Sequence, residues 1–281
     1  MLSPEQLAFF RLQGYLHLPN YVSATDLAEL QQQVATFSAS LSAEFVSQQQ
    51  QYLAGQWCQG TFQLFRANQL STFIPAACIA LGEAKFNAMI STLLEDEAVA
   101  MYDSLLVKSC LASEIIWHRD MWHSIDTRII TVGIYLDDAH AGQGALRVVP
   151  GTHLMPDELC QLEQQVKQGT LSPVDVAAKA GDVIIHDVNL LHCSTPHIGL
   201  TPRRTIYSEF RAARDVEQNP RYPAQWLKLR KAHQQLLQQR YTAPNDIALF
   251  QQQQQLNQQL MQIHVQIEAG HYCFHPPQVK R

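Results

Sequence analysis

The chain has 281 residues, 46% of them hydrophobic and 16% charged, with a formal net charge of −5. That composition can fill a core and leaves a mildly acidic surface, which argues against a nucleic-acid partner. The opening MLSPEQLAFFRLQGY lacks the basic and apolar regions of a secretory signal, and no apolar run is long enough to span a bilayer, so a cytoplasmic protein with no membrane partner is expected.

Ser3-Pro4-Glu5-Gln6 has the form of a capping box with proline at the first helical position, and Gly14 closes the short helix it opens. Leu27, Leu30, Val34 and Phe37 fall at helical spacing in Ser23 to Phe37, and Phe73 to Leu94 reads as helical too. The expectation is a mostly helical part over residues 1–98. After Val99 the pattern changes to short β-type runs: Tyr102 to Val107, Arg128 to Leu136, Leu146 to Val149, Val183 to His186 and Thr205 to Phe210. Turn chemistry at Asp137-Asp138, Gly142-Gln143-Gly144, Pro150-Gly151 and Gly181-Asp182 separates them, which points to a jelly roll or barrel over residues 99–212. Residues 213–281 return to helix and are glutamine-rich, with Leu249, Leu256, Leu260, Ile263 and Ile267 on one stripe. This helix reads as a cover for the sheet, with an oligomer seam as the other reading, so monomer and homo-oligomer both stay open. The whole, residues 1–281, is expected to be one α+β domain.

Six cysteines, Cys58, Cys78, Cys110, Cys160, Cys193 and Cys273, show no CxxC spacing and read as free, mostly buried thiols.

The chemistry concentrates in WHRDMWH, Trp117 to His123. In an extended segment His118 and Asp120 project to one face, whereas His123, an odd number of residues from Asp120, would face away. With 12 histidines and 13 aspartates in the chain, chance alone yields about half an HxD, so a third ligand is needed. GDVIIHDVNLLHCS supplies one in His192. Two histidines and a carboxylate make a facial triad that leaves three adjacent positions on Fe(II) for a chelating cosubstrate and O2. A diacid cosubstrate needs its far carboxylate anchored, and Arg203 and Arg204 stand on the next β-type run, where alternation turns only one of them inward. His186, His153 and His197 lack a partner at ligand spacing along the chain, and Trp117, Trp122 and Tyr135 read as core.

These motifs, with the opening EQLAFFRLQGYLHLPNYV, the LLVKSC run and GALRVVPGTH, resemble the phytanoyl-CoA dioxygenase family of Fe(II)/2-oxoglutarate-dependent oxygenases from Ser3 to about Arg211. The resemblance implies a double-stranded β-helix, or cupin-like jelly roll, with flanking helices. It implies His118, Asp120 and His192 as metal ligands and catalytic centre, and Arg203 as the 2-oxoglutarate anchor. Ser194 matches a residue that helps bind the same carboxylate, and Lys108 an upstream basic residue. The implied reaction is hydroxylation of a small organic substrate with release of succinate and CO2. A non-redox isomerase or hydrolase, or a ligand-binding protein, is the alternative on the same barrel. The chain departs from the family at HRD, where HQD is frequent, and at Gly133, where some members place a large aromatic. Arg119, Arg128, Arg147 and His123 flank the site segments and would suit an anionic substrate.

Overall fold

The computed structural model describes residues 2–74, 77, 81–109, 114–121, 128–198 and 201–268. Helix α1 (Pro4–Gln13) starts at Ser3, whose hydroxyl accepts from the Gln6 amide while the Gln6 side chain accepts from the Ser3 amide. It ends at Gly14, at φ +79°, where an added Cβ would lie 2.4 Å from His153 Nδ1, so both backbone and space demand glycine. The chain continues through β1 (Tyr15–Leu18), α2 (Ala24–Ser40) and α3 (Ala43–Gln48).

The first hundred residues hold more strand than expected. β2 (Leu53–Cys58) and β3 (Thr61–Asn68) pair as a hairpin through Gln59 and Gly60, both at positive φ as a tight hairpin turn needs. Helix also breaks within Phe73 to Leu94, giving α4 (Leu70–Phe73) and α5 (Ala84–Leu94). Proline at position 75 disfavours helical backbone before it, and Ile74 sits at φ −128° and ψ 75°.

The central elements are β4 (Ala98–Lys108), β5 (Ile115–His118), β6 (Ile129–Tyr135), β7 (Leu146–Val148), α6 (Leu159–Lys167), β8 (Val174–Val176), β9 (Val183–Asp187), β10 (His192–Ser194) and β11 (Arg203–Ala212). They form a jelly roll of two antiparallel sheets. The larger has the order β1-β9-β6-β11-β4-β3-β2 and the smaller β5-β10-β7-β8. Alternation sorts the faces of the large sheet. Val132, Ile134, Ile206 and Phe210 point outward and bury with Leu30, Val34, Phe86 and Ile90 of the helices. Tyr135, opposite Thr205, points inward and packs on Leu146, Val148 and Val176 of the small sheet. Arg203, Tyr207 and Glu209 share that inward register, so the space between the sheets is where polar chemistry can collect.

Helices α7 (Ala213–Gln218), α8 (Ala224–Thr242) and α9 (Ile247–Glu268) follow. Leu260 and Ile263 of the glutamine-rich α9 bury with Trp226 of α8 and with Val99 and Met101 of β4. Asn257 donates to the Ser71 carbonyl at 2.7 Å. One face of the helix therefore packs on α8 and on the start of β4. Among the described residues no helix is long and apolar enough to cross a membrane. The reading of all cysteines as free and mostly buried needs correction: Cys58 is disulfide-bonded and Cys160 is exposed, while Cys193 is free and half-buried.

Candidate metal centre and anion pocket

Strands β5 and β10 are antiparallel neighbours with His192 directly opposite His118, and their imidazole centroids lie 4.1 Å apart. Asp120 joins them by a different route from the one its spacing suggests. β5 stops at His118, and the chain bends so that the Asp120 amide donates to the Val188 carbonyl at 3.0 Å. The bend, rather than strand alternation, returns the carboxylate to the two rings. Asp120 Oδ1 lies 3.4 Å from His192 Nε2 and 3.8 Å from His118 Nε2, and one donor atom from each residue falls within 4.8 Å of the others. Each ring turns its Nδ1 to a carbonyl two residues back, His118 to Ile116 at 2.8 Å and His192 to Leu190 at 2.9 Å. Nδ1 then carries the proton, and the Nε2 lone pair is free for a cation.

Charge follows the same layout. Burial, helped by the neighbouring His192, pulls His118 down to about 4, so it is neutral at physiological pH. Burial alone would raise Asp120, but the neighbouring His192 and a hydrogen bond from His186 outweigh it and hold the carboxyl well below its usual range. A neutral imidazole and an ionised carboxylate are the forms that bind metal.

The second oxygen of Asp120 is also held. Thr131 Oγ1 donates to Oδ2 at 2.8 Å, and His186 Nε2 lies 3.1 Å from the same atom. Thr131 and His186 are register partners on β6 and β9. His186 was set aside from the sequence because it has no ligand-spaced neighbour along the chain. Its signal was instead across the sheet, as an inward-facing polar residue two positions from the inward-facing Ile184.

Close along the chain to the triad stand two buried cations. Arg203 and Lys108 are directly opposite on β11 and β4, and both are fully buried. Lys108 donates to Ser194 Oγ at 2.7 Å and to the Thr195 carbonyl at 2.9 Å. Arg203 donates to the Gly144 carbonyl at 2.8 Å, while its Nε and Nη2 meet no acceptor, and the nearby Thr205 hydroxyl also has none. Buried cations placed face to face are costly without a counter-ion. Burial and the charge of Arg203 accordingly lower the Lys108 ammonium to about 7. Arg204 faces the other way, forking onto Asp137 at 2.7 and 2.8 Å.

The remaining basic residues do not surround the site. Arg119 donates to the carbonyls of Asp157, Thr152 and Met155, Arg128 to that of Leu93, and Arg147 pairs with Asp175 at 3.5 Å. His153 sits against Gly14 with Nε2 3.2 Å from the Arg11 carbonyl, and His197 Nε2 lies 2.7 Å from the Thr201 carbonyl. His123 and Trp122 lie outside the described residues. Trp117 packs with Val149, Leu162 and Leu191, whereas burial pushes the Cys193 thiol up to about 12, leaving it protonated. At Gly133 a Cβ would lie 3.0 Å from Tyr207 Cε1, so the Tyr207 ring from the neighbouring strand covers the place where an aromatic side chain is missing.

Two imidazoles and a carboxylate between the sheets of a jelly roll, with two buried cations nearby, are the donor set of a mononuclear non-haem metal centre. Residues 10–205 match the family described as Phytanoyl-CoA dioxygenase (PhyH), well over half of the sequence, and the chain belongs to that family. It is an Fe(II)- and 2-oxoglutarate-dependent dioxygenase that uses O2. The ectoine dioxygenase of Sphingopyxis alaskensis is 24% identical to it over 267 residues, covering 82% of this chain and 83% of that one. AviO1 from Streptomyces viridochromogenes Tue57 superposes with a TM-score of 0.62 at 24% identity, over 78% of this chain and 96% of the other. EctD from S. alaskensis with 2-oxoglutarate and 5-hydroxyectoine gives 0.61 at 24% identity, over 76% and 77% of the two chains. At these identities the structural likeness is one of fold.

Proposed function

We propose that His118, Asp120 and His192 hold Fe(II), that Arg203, Lys108 and Ser194 hold 2-oxoglutarate, and that the enzyme hydroxylates a small polar molecule for which ectoine is the first candidate. The observation that carries the reading is the buried Arg203 guanidinium opposite Lys108, with its Nε and Nη2 meeting no acceptor. These two cations are tied to the metal site by strand β10, where Ser194, bonded to Lys108, follows His192 by two residues. A carboxylate bound there would supply the missing acceptors of Arg203.

Bound iron, with 2-oxoglutarate and O2, supplies the oxidising chemistry: succinate and CO2 are released and one oxygen atom enters a substrate C–H bond. The chain's own residues position the partners. Arg203 offers two N–H groups to the distal carboxylate, and Lys108 adds a charge on the opposite strand. The same inward register carries the half-buried Asn68, Tyr102, Tyr207 and Glu209, with the Tyr102 hydroxyl donating to Asn68 and Glu209 paired with Arg211 at 2.6 Å. Such a wall suits a substrate that brings hydrogen-bonding groups, and it supports a polar compound of the ectoine kind over a hydrocarbon. Arg119, Arg128 and Arg147 are engaged elsewhere, so an anionic substrate gains no support from them.

We infer further that the chain acts as one domain. β1 of the N-terminal part pairs with β9, β3 pairs with β4, and α9 bonds to Ser71.

The test is anaerobic reconstitution with Fe(II) and 2-oxoglutarate, followed by labelled O2 and ectoine among other small polar compounds. Succinate formed in step with a product carrying one labelled oxygen supports the reading. A substrate converted with no succinate formed would make the protein a Lewis-acid isomerase or hydrolase instead.

A further inference from the structure

His186 is a buried imidazole in the strand VIIHD, whose other inward residue, Ile184, belongs to an apolar cluster. Burying an imidazole is costly unless its ring nitrogens find partners. Its partner here is Asp120, through Nε2 and Oδ2 at 3.1 Å. Thr131 Oγ1 reaches the same oxygen at 2.8 Å from the adjacent strand. A carboxylate oxygen has two lone-pair sites, and these two donors fill both. Oδ1 is left facing His118 and His192.

We propose that His186 is a positioning residue that commits Asp120 to a metal ion through Oδ1 alone. The inference rests on the proposed ligand set. A carboxylate free to use both oxygens could occupy two coordination positions and leave only two for other ligands. Bound through one oxygen, with two histidines, it leaves three on a six-coordinate ion, as a two-point chelating cosubstrate and O2 together require. His186 and Thr131 enforce that arrangement, because turning Oδ2 toward the metal would break both hydrogen bonds. For this role His186 carries its proton on Nε2, the opposite tautomer from His118 and His192.

The experiment titrates metal-free protein anaerobically with Fe(II) and then adds 2-oxoglutarate while the visible charge-transfer band of the ternary complex is recorded. His186→Phe keeps most of the ring volume and loses the donor. It should bind Fe(II) about 10- to 100-fold more weakly and show a shifted or weakened band. His186→Gln, whose amide can still donate, should recover most of the affinity. Wild-type affinity and band in His186→Phe overturn the inference, as does a His186→Gln variant no better than His186→Phe, which marks a packing role only. Should His186→Phe fail to fold, Thr131→Val removes the other donor to Oδ2, and unchanged Fe(II) affinity there overturns the arrangement. His192→Ala run in parallel separates the two levels: if it too binds iron normally, the ligand set is wrong, and if it alone loses iron, only the role of His186 falls.

Discussion

Arg203 and Lys108 face each other across neighbouring strands as a buried pair of like charges, while Arg204, one residue along, turns outward to Asp137. The two arginines should therefore fail differently. Arg203→Ala should raise the KM for 2-oxoglutarate by about 30-fold or more, since a buried charge-assisted contact is worth about 2–5 kcal/mol. Arg204→Ala should leave that KM within a few-fold of wild type and lower thermal stability, because Asp137 loses both guanidinium donors and keeps only the backbone N–H of residue 204. Steady-state kinetics with both variants decide it, and a larger KM effect from Arg204 would refute the assignment.

His192→Ala removes one of three proposed protein ligands and leaves Oδ1 of Asp120 without its nearer imidazole. Fe(II) affinity should fall more than about 100-fold, beyond the usual effect of outer-shell partners, and coupled succinate formation should vanish. Iron content after dialysis measures this directly. A variant that retains stoichiometric iron would take His192 out of the site.

The parts of this site that were legible in the sequence are those written along the chain. His118, Asp120 and His192 stood out by spacing and turn chemistry, whereas the residues alone left Arg203 and Arg204 as alternatives and only the family resemblance pointed to Arg203. The β-type runs became β4, β6, β7, β9 and β11 with shifted ends. What lay across strands was hidden. The partnership of His186 with Asp120 depends on the register of β9 against β6, which no local pattern encodes. Asp120 converged with His118 for a reason alternation does not supply, since the strand had already ended. The β2–β3 hairpin was missed because Gln59-Gly60 lacks the asparagine or aspartate that usually announces such a turn. The Cys58 disulfide was missed because it has no local spacing signature.

Gly14 offers a test of the fold that is independent of catalysis. Gly14→Ala would place a β-carbon at φ +79° and 2.4 Å from the His153 ring, adding a clash to a backbone cost of about 1–2 kcal/mol. Gly142→Ala is the control, at φ +73° with nothing within 4 Å. Thermal melts should show Gly14→Ala losing more than Gly142→Ala, by several degrees. Equal losses would mean that His153 moves aside freely and that the contact between α1 and the 150–153 turn contributes little.

The pH dependence of cosubstrate binding should report on Lys108. Burial and Arg203 lower its ammonium to about 7 in the free protein, so it is charged below that pH and progressively neutral above it. An unfolded lysine titrates near 10.4, so between pH 7 and about 10 the unfolded chain binds the extra proton, and this group makes the cosubstrate-free protein more stable as pH rises. A bound dicarboxylate acts in the opposite sense, because it favours the charged lysine and raises its pKa. Affinity for 2-oxoglutarate should then be level below pH 7 and fall above it, by up to about tenfold per pH unit until the raised pKa of the bound state is reached. Lys108→Met should bind more weakly at pH 6 and lose that slope. Anaerobic titrations with Fe(II) from pH 6 to 9 measure both, and an affinity that improves with rising pH in the wild-type protein would place Lys108 outside the cosubstrate pocket.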